Sequence, residues 1–424
     1  MTDAPAAAAA EPGLARFPPG TARGAEGGLL IGGCDAGELA AEFGTPLLAY
    51  DTGALRARAR RFRAALASAL PGREAAVAFA SKACPCPPVL AVLAAEGLRC
   101  DVASAGEVAM ARAGGFAGRD LVLHGNAKRN ADLAAALEAG AGLIVIDGPD
   151  DADRLERLGA RAQPVLVRIV PDVAAATHPA MQTGHLGTKF GVPLAAAPAM
   201  FERLRASAAT DLQGVHVHLG SQILDLSTFT AGVEALAALG PQPVVDVGGG
   251  LGIAYRRGDE APTPEAWAAE LGAAIADHAP AARTVIAEPG RSLVGPAAVT
   301  LYRVVTVKRY GAPVVAVDGG LSDNLEPIYG VAFDAVHADR PGGQEPCRLV
   351  GHHCEEGDTL GQAIPLDDPR PGDLLAVPVT GAYTFTMANN YNATPRPAVV
   401  LAERGEATLA VRRETLEDLA ARFA

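Results

Sequence analysis

The chain has no run of about 18 uncharged apolar residues, so no part of it reads as a membrane span. It has no excess of positive charge either. Its 36 Lys and Arg face 48 Asp and Glu, a net charge of −12, which argues against nucleic acid and anionic membranes as partners. Cysteine is scarce. Cys34, Cys84, Cys86, Cys100, Cys347 and Cys354 cannot build a disulfide framework in 424 residues, so reduced thiols and a cytoplasmic setting are expected. Cys84 and Cys86 stand too close together for a zinc ribbon and have no second pair nearby, so no metal is expected. Residues 1–28 lack the basic start and long apolar stretch of a secretory signal. They are rich in Ala, Pro and Gly and read as a disordered tail.

What the chain does have is apolar content, 49%, enough for a large core. Eight short β-rich runs, at 75–80, 98–103, 121–124, 143–147, 164–169, 212–219, 243–247 and 284–288, alternate with Ala/Leu-rich helical stretches. Continuous apolar strands alternating with helices imply a parallel sheet under helices. Eight units in about 250 residues imply closure into a (β/α)8 barrel, an α/β fold, over 51–295. After residue 294 the texture changes. Runs at 314–317, 374–379, 398–401 and 407–411, separated by Gly, Pro and Asp, predict an antiparallel β-domain over 296–424 that ends in a helix near 414–423. Residues 29–50 hold two short apolar runs that are expected to join that β-domain.

Unusual polar residues gather at the C-terminal ends of the eight runs, the rim where such barrels build their sites. They are Lys82, Asp101, Ser104, His124, Asn126, Arg168, His218, Ser221, Gly248, Gly249, Gly250 and Glu288. A lysine at a strand end, a glycine-rich anion cradle and a buried carboxylate together suit pyridoxal phosphate. The lysine would hold the aldehyde, the glycines would approach the phosphate, and Glu288 would keep the ring nitrogen protonated. Taken singly, each has a bland reading: a surface lysine, a tight turn, a turn with an ion pair at Glu288 and Arg291. Their agreement on one rim decides between the readings. Of His216 and His218, one is expected to enter the barrel and the other to pack outward, with His218 the candidate for stacking on a flat ring. His352 to Glu356 are adjacent in sequence and so make a weak metal site.

These residues lie in longer motifs: Phe79-Ala80-Ser81-Lys82-Ala83, His124-Gly125-Asn126-Ala127-Lys128, Thr188-Lys189-Phe190-Gly191, His216-Val217-His218-Leu219-Gly220-Ser221-Gln222, Asp246-Val247-Gly248-Gly249-Gly250-Leu251-Gly252-Ile253, Glu288-Pro289-Gly290-Arg291-Ser292, His353-Cys354-Glu355 with Gly357-Asp358, and Gly381-Ala382-Tyr383 before Asn390-Tyr391-Asn392. On them the chain resembles, from about residue 45 to 422, the fold-type III pyridoxal phosphate decarboxylases, and among these most the bacterial diaminopimelate decarboxylases. The resemblance implies the alanine racemase/ornithine decarboxylase-like architecture and conversion of meso-2,6-diaminopimelate to L-lysine and carbon dioxide. It implies that Lys82 binds the cofactor covalently, His218 stacks on its ring and Glu288 pairs with the ring nitrogen. Ser221, Gly248 to Gly250, Gly290, Arg291 and Tyr383 would surround phosphate and substrate, with Asp101 and Glu107 near the lysine. Cys354 would be the general acid and Glu355 would touch substrate, both reaching into the partner subunit of a homodimer with shared sites.

One departure stands out. Where the resemblance leads one to expect an arginine that grips a substrate carboxylate, the segment Ser322-Asp323-Asn324-Leu325-Glu326-Pro327-Ile328-Tyr329 carries Glu326, with Tyr329 close behind. A carboxylate repels a carboxylate and attracts an amine. Cys84 also replaces the Asn that often follows the lysine motif. The alternative substrates are therefore lysine, ornithine or an amino acid of specialised metabolism. A non-catalytic pyridoxal-binding regulator and a two-domain racemase are the remaining alternatives. Retention of Lys82, Glu288, Cys354 and Tyr383 speaks against the regulator, and the His-Cys-Glu segment speaks against the racemase.

Overall fold

A computed structural model describes residues 11–172 and 187–423. The described chain forms two compact units. One comprises Leu55–Ile253 and Ala261–Val294; the other draws on Met1–Ala54, Ala254–Glu260 and Gly295–Ala424.

The first unit is built on eight parallel strands: β1 (Glu74–Ala80), β2 (Arg99–Val102), β3 (Leu121–Leu123), β4 (Leu143–Ile146), β5 (Gln163–Val170), β6 (Thr210–Val217), β7 (Val244–Asp246) and β8 (Thr284–Ala287). Each pairs with the next, and β8 returns to β1 with Thr284 opposite Glu74 and Ala287 opposite Val77, so the sheet closes. A short strand, Val192–Pro193, adds to β5. All eight expected runs are found, because a strand buried on both faces must be apolar throughout. A cluster of Ala78, Val122, Val145, Leu166 and Ile286 joins strands on opposite sides of the ring, so it fills the barrel interior. Helices follow the strands and begin at identifiable caps. Ser104 accepts the Glu107 N–H at 3.2 Å and so caps the helix Ala105–Ala113, while Glu107 accepts the Ala103 N–H at 2.7 Å just ahead of it. Glu107 therefore has a task at the helix start.

The second unit is a nine-stranded sheet beside a small three-stranded one. Its spine is Ala298–Lys308, whose first half is buried between antiparallel Leu47–Asp51 and Leu374–Pro378 and whose second half pairs with Val314–Val317. The domain is mainly antiparallel, as expected, with two parallel pairings added. Val314–Val317 runs parallel to Glu345–Val350, and Ala398–Glu403 runs parallel to Leu47–Asp51. Of the two early apolar runs, only Leu47–Asp51 enters the large sheet; Leu29–Ile31 forms the small one with Ala22–Arg23 and Cys34–Asp35.

The disordered tail expected over 1–28 is also corrected, for residues 11–28. Arg23 pairs with Glu11 at 2.7 Å and Phe17 is buried in the core of this unit with Leu29, Ile31 and Val336. Residues 1–10 lie outside the described residues. The final helix is shorter than expected, Leu416–Ala420, capped by Thr415. The short stretch Ala254–Glu260, expected within the barrel, belongs to this unit. Among the described residues no helix is long and apolar enough to cross a membrane.

Candidate active site

The barrel strands deliver their polar residues to one rim, as read from the sequence. Lys82 lies in the tight turn Ser81–Ala83 after β1, its side chain exposed between two buried neighbours. Its charge acts on Asp101, at the end of β2, and on His218, just past β6.

Glu288 sits directly after β8, the strand that pairs with β1, and is 4% exposed. Two histidines from non-adjacent strands reach it. His124, just past β3, places Nε2 at 2.6 Å from one carboxylate oxygen and at 3.8 Å from Asp101; His216, on β6, places Nε2 at 3.4 Å from the other oxygen. The two rings meet edge to face with centroids 4.8 Å apart. His218 lies on the same face as His216, rings 6.5 Å apart and within 10° of parallel. This corrects the expectation that one of the two packs outward: residues two apart on a strand share a face.

Burial dominates the protonation states, and charge then decides which groups resist it. Burial works to raise the Glu288 carboxyl, but His124 and His216 outweigh it and hold the group well below the usual carboxylate range. Burial works to lower His124, yet Glu288 and Asp101 outweigh it and the imidazole ends above its ordinary value. His216 has less compensation, and burial takes it down to about 4. Burial pushes Asp101 up to about 6, and pushes Asp246 well above its ordinary value with the charge of Glu288 adding to it. His218 is lowered by burial and by the nearby Lys82 charge.

The glycine loop after β7 is wedged between its neighbours. Gly248 and Gly250 take φ of 67° and 110°, conformations that favour glycine. A Cβ on Gly249 would stand 2.2 Å from the Glu288 carbonyl oxygen, and one on Gly250 would stand 2.4 Å from that of Gly220. Gly249 donates its N–H to His218 Nδ1 at 3.1 Å, so His218 is neutral with its proton on Nε2. Arg291, buried beside Gly290, approaches the Ser221 hydroxyl at 3.5 Å.

Two other motifs shape the scaffold. Lys128 is buried on Asp151 at 2.7 Å and donates to the Gly125 carbonyl at 2.6 Å. Phe190 lies under the buried Arg168 guanidinium at 4.2 Å, and Gly191 donates to Asp147 at 3.0 Å. The histidine cage around Glu288 is the feature that residue-by-residue reading missed. Its signal was present, two histidines on one strand face and Asp246 ahead of the glycines, but it becomes visible only when β3, β6 and β8 close on each other.

The remaining expected residues belong to the second unit. Glu326 is 2% exposed and accepts from the Tyr255 hydroxyl at 3.0 Å. Tyr329, Cys354 and Glu355 are exposed, and Tyr383 is half-buried with φ of 66°. His353 ties three loops together: Nε2 accepts from the Ser322 hydroxyl at 2.9 Å and N–H at 3.2 Å, and Nδ1 faces Asn392 Oδ1 at 3.0 Å. It is a structural crosslink next to Cys354. None of the six cysteines forms a disulfide.

The barrel rim fits pyridoxal phosphate on its own geometry. Glu288 Oε1 is buried and has no aligned hydrogen bond among the described residues, so it can accept one from a protonated ring nitrogen. The glycine loop offers backbone where a side chain could not fit, and Lys82 offers an exposed amine.

Comparison with known proteins agrees. Residues 52–295 match the family model of the pyridoxal-dependent decarboxylase pyridoxal binding domain, and the chain belongs to that family. It is an enzyme class that depends on pyridoxal phosphate. More particularly, the chain is 44% identical, over 99% of its length and 96% of the relative, to diaminopimelate decarboxylase of Actinosynnema pretiosum subsp. auranticum. It is 40% identical to that of Bacillus subtilis (strain 168), over 93% of this chain and 94% of the relative. The crystal structure of M. jannaschii diaminopimelate decarboxylase in complex with L-lysine superposes with a TM-score of 0.88, at 30% identity, over 96% of this chain and 98% of that one.

Proposed function

We propose that this protein converts meso-2,6-diaminopimelate to L-lysine and carbon dioxide. What carries the reading is identity of 44% to a diaminopimelate decarboxylase across nearly the whole of both chains. Bound pyridoxal phosphate supplies the electron sink for the pair of electrons released with carbon dioxide. Lys82 supplies the amine that holds the cofactor. Glu288, ionised and shielded from water, keeps a proton on the ring nitrogen and so keeps the ring cationic. His218, neutral and fixed by Gly249, presents a flat face to the ring. Gly248 to Gly250, Ser221, Gly290, Arg291 and Tyr383 hold the phosphate and substrate, and Asp101 lies near the lysine. Cys354 delivers a proton to the α-carbon and Glu355 contacts substrate. Both act in the partner subunit's site within a homodimer. We place the enzyme in the cytoplasm, a reading supported by six cysteines that form no disulfide.

A second reading rests on Glu326, a carboxylate 2% exposed with Tyr329 nearby in sequence. It favours a substrate that ends in an amine, such as lysine or ornithine. Carbon dioxide release by the purified protein separates the two readings. Turnover of meso-diaminopimelate at least tenfold above lysine and ornithine is expected. Preference for lysine or ornithine, reversed in Glu326→Arg, would instead establish the second reading. A cofactor-loaded protein inert toward all three would favour the regulator.

A further inference from the structure

Glu288 has two histidine neighbours, and they are not equivalent. A carboxylate buried without a cation would take up a proton rather than stay charged. His216, at 3.4 Å, is neutral at pH 7, because burial takes it down to about 4. His124, at 2.6 Å, is the neighbour raised above its ordinary value in spite of burial, first by the charge of Glu288 and then by Asp101, which faces the same nitrogen at 3.8 Å. The other charged or titratable groups that act on this pair come from β5, as Arg168, from just past β6, as His218, and from β7, as Asp246. Arg168 is a second cation acting on Glu288, but it stacks on Phe190 at 4.2 Å. Burial, with the charge of Glu288 adding to it, pushes the Asp246 carboxyl well above its ordinary value, and Asp246 accepts the Gly248 N–H at 2.9 Å. His124 Nε2 and Glu288 Oε1 stand 2.6 Å apart, and both charge and hydrogen bonding between them raise the imidazole and lower the carboxyl.

We propose that His124 is a positioning residue: as an imidazolium it fixes the place and the negative charge of Glu288 before the cofactor arrives. The inference rests on reading Glu288 as the partner of the ring nitrogen. It gives the His124-Gly125-Asn126 segment a task in the barrel interior that the proposed chemistry does not itself require. His124 never touches the reacting atoms. It acts through Glu288, as an outer hydrogen-bonding partner tunes a ligand.

The test uses the full-length chain freed of cofactor and titrated with pyridoxal phosphate, read by the visible absorbance of the bound form. His124→Gln is expected to weaken binding about tenfold, and Glu288→Gln by at least as much. The double variant is expected to bind no worse than Glu288→Gln alone, since the imidazolium then has no charge to fix. Additive losses would make His124 merely structural and overturn the proposal. If His124→Gln binds normally while Glu288→Gln does not, His124 has no part and the reading of Glu288 stands. If Glu288→Gln also binds normally, that reading itself falls. A second measurement needs no variant to fold: an NMR titration of the imidazoles in the wild-type chain. One buried histidine charged at pH 7 is expected, and a neutral His124 there overturns the proposal.

Discussion

Asp323 shows what a single buried carboxylate does to the pH dependence of the fold. It is 2% exposed, accepts the Gly320 N–H at 2.7 Å and the Tyr302 hydroxyl, and burial pushes it up to about 7. Its folded pKa lies above the unfolded value of about 4, so the folded state binds the proton more tightly. That contribution is complete below about pH 4 and is lost as pH rises through 7, with a slope of about 1.4 kcal/mol per pH unit. Denaturant unfolding at pH 4.5 and 6.5 checks this. Wild type is expected to lose on the order of 2 kcal/mol between the two that Asp323→Asn does not lose. Parallel behaviour would mean that Asp323 is ionised throughout. At this scale Lys82, Glu288 and Gly248 to Gly250 were legible in the sequence, because each needs a residue type that few other tasks require. The roles of His124 and His216 were not, since a histidine's charge is set by partners on strands far away in sequence.

Elements carry the next constraint. The loop after β7 passes the loop after β8 so closely that a methyl group on Gly249 would overlap the Glu288 carbonyl. Gly249→Ala must therefore displace Glu288, the residue proposed to face the cofactor ring. Overpacking of this kind costs about 1–3 kcal/mol. The variant is expected to fold with that loss of stability, measured by urea unfolding, and to fail to retain bound cofactor through gel filtration. Retention at the wild-type level would show that the loop tolerates the shift. The barrel strands were legible because strands buried on both faces are continuous apolar runs between helices. The β-domain was less so. Ala298–Lys308 is buried at one end and largely exposed at the other, so it shows no single period. One of its parallel pairings joins segments hundreds of residues apart, Leu47–Asp51 and Ala398–Glu403, and no local pattern announces such a partner.

For the whole molecule the open quantity is the number of copies that act together. If Cys354 and Glu355 serve the partner's barrel, activity requires a dimer. Sedimentation is expected to give twice the 43.1 kDa of the chain. Mixing Lys82→Ala with Cys354→Ala chains is expected to restore about a quarter of wild-type turnover, because one site in a mixed dimer is then complete. A fully active monomer would remove the shared-site reading. The two units also differ in how the chain assembles them. The sheet unit is gathered from three stretches, one being the seven-residue segment Ala254–Glu260, where Tyr255 meets Glu326 and Arg257 meets Asp334 at 3.5 Å. The polypeptide thus leaves the barrel between β7 and the helix Pro264–His278 and then returns to it. No single cut can release either half intact. A gene trimmed to the barrel would carry a stranded tyrosine and arginine, and one trimmed to the sheet would lack the tether for its own buried glutamate. Recombination among relatives should therefore exchange this protein whole or not at all.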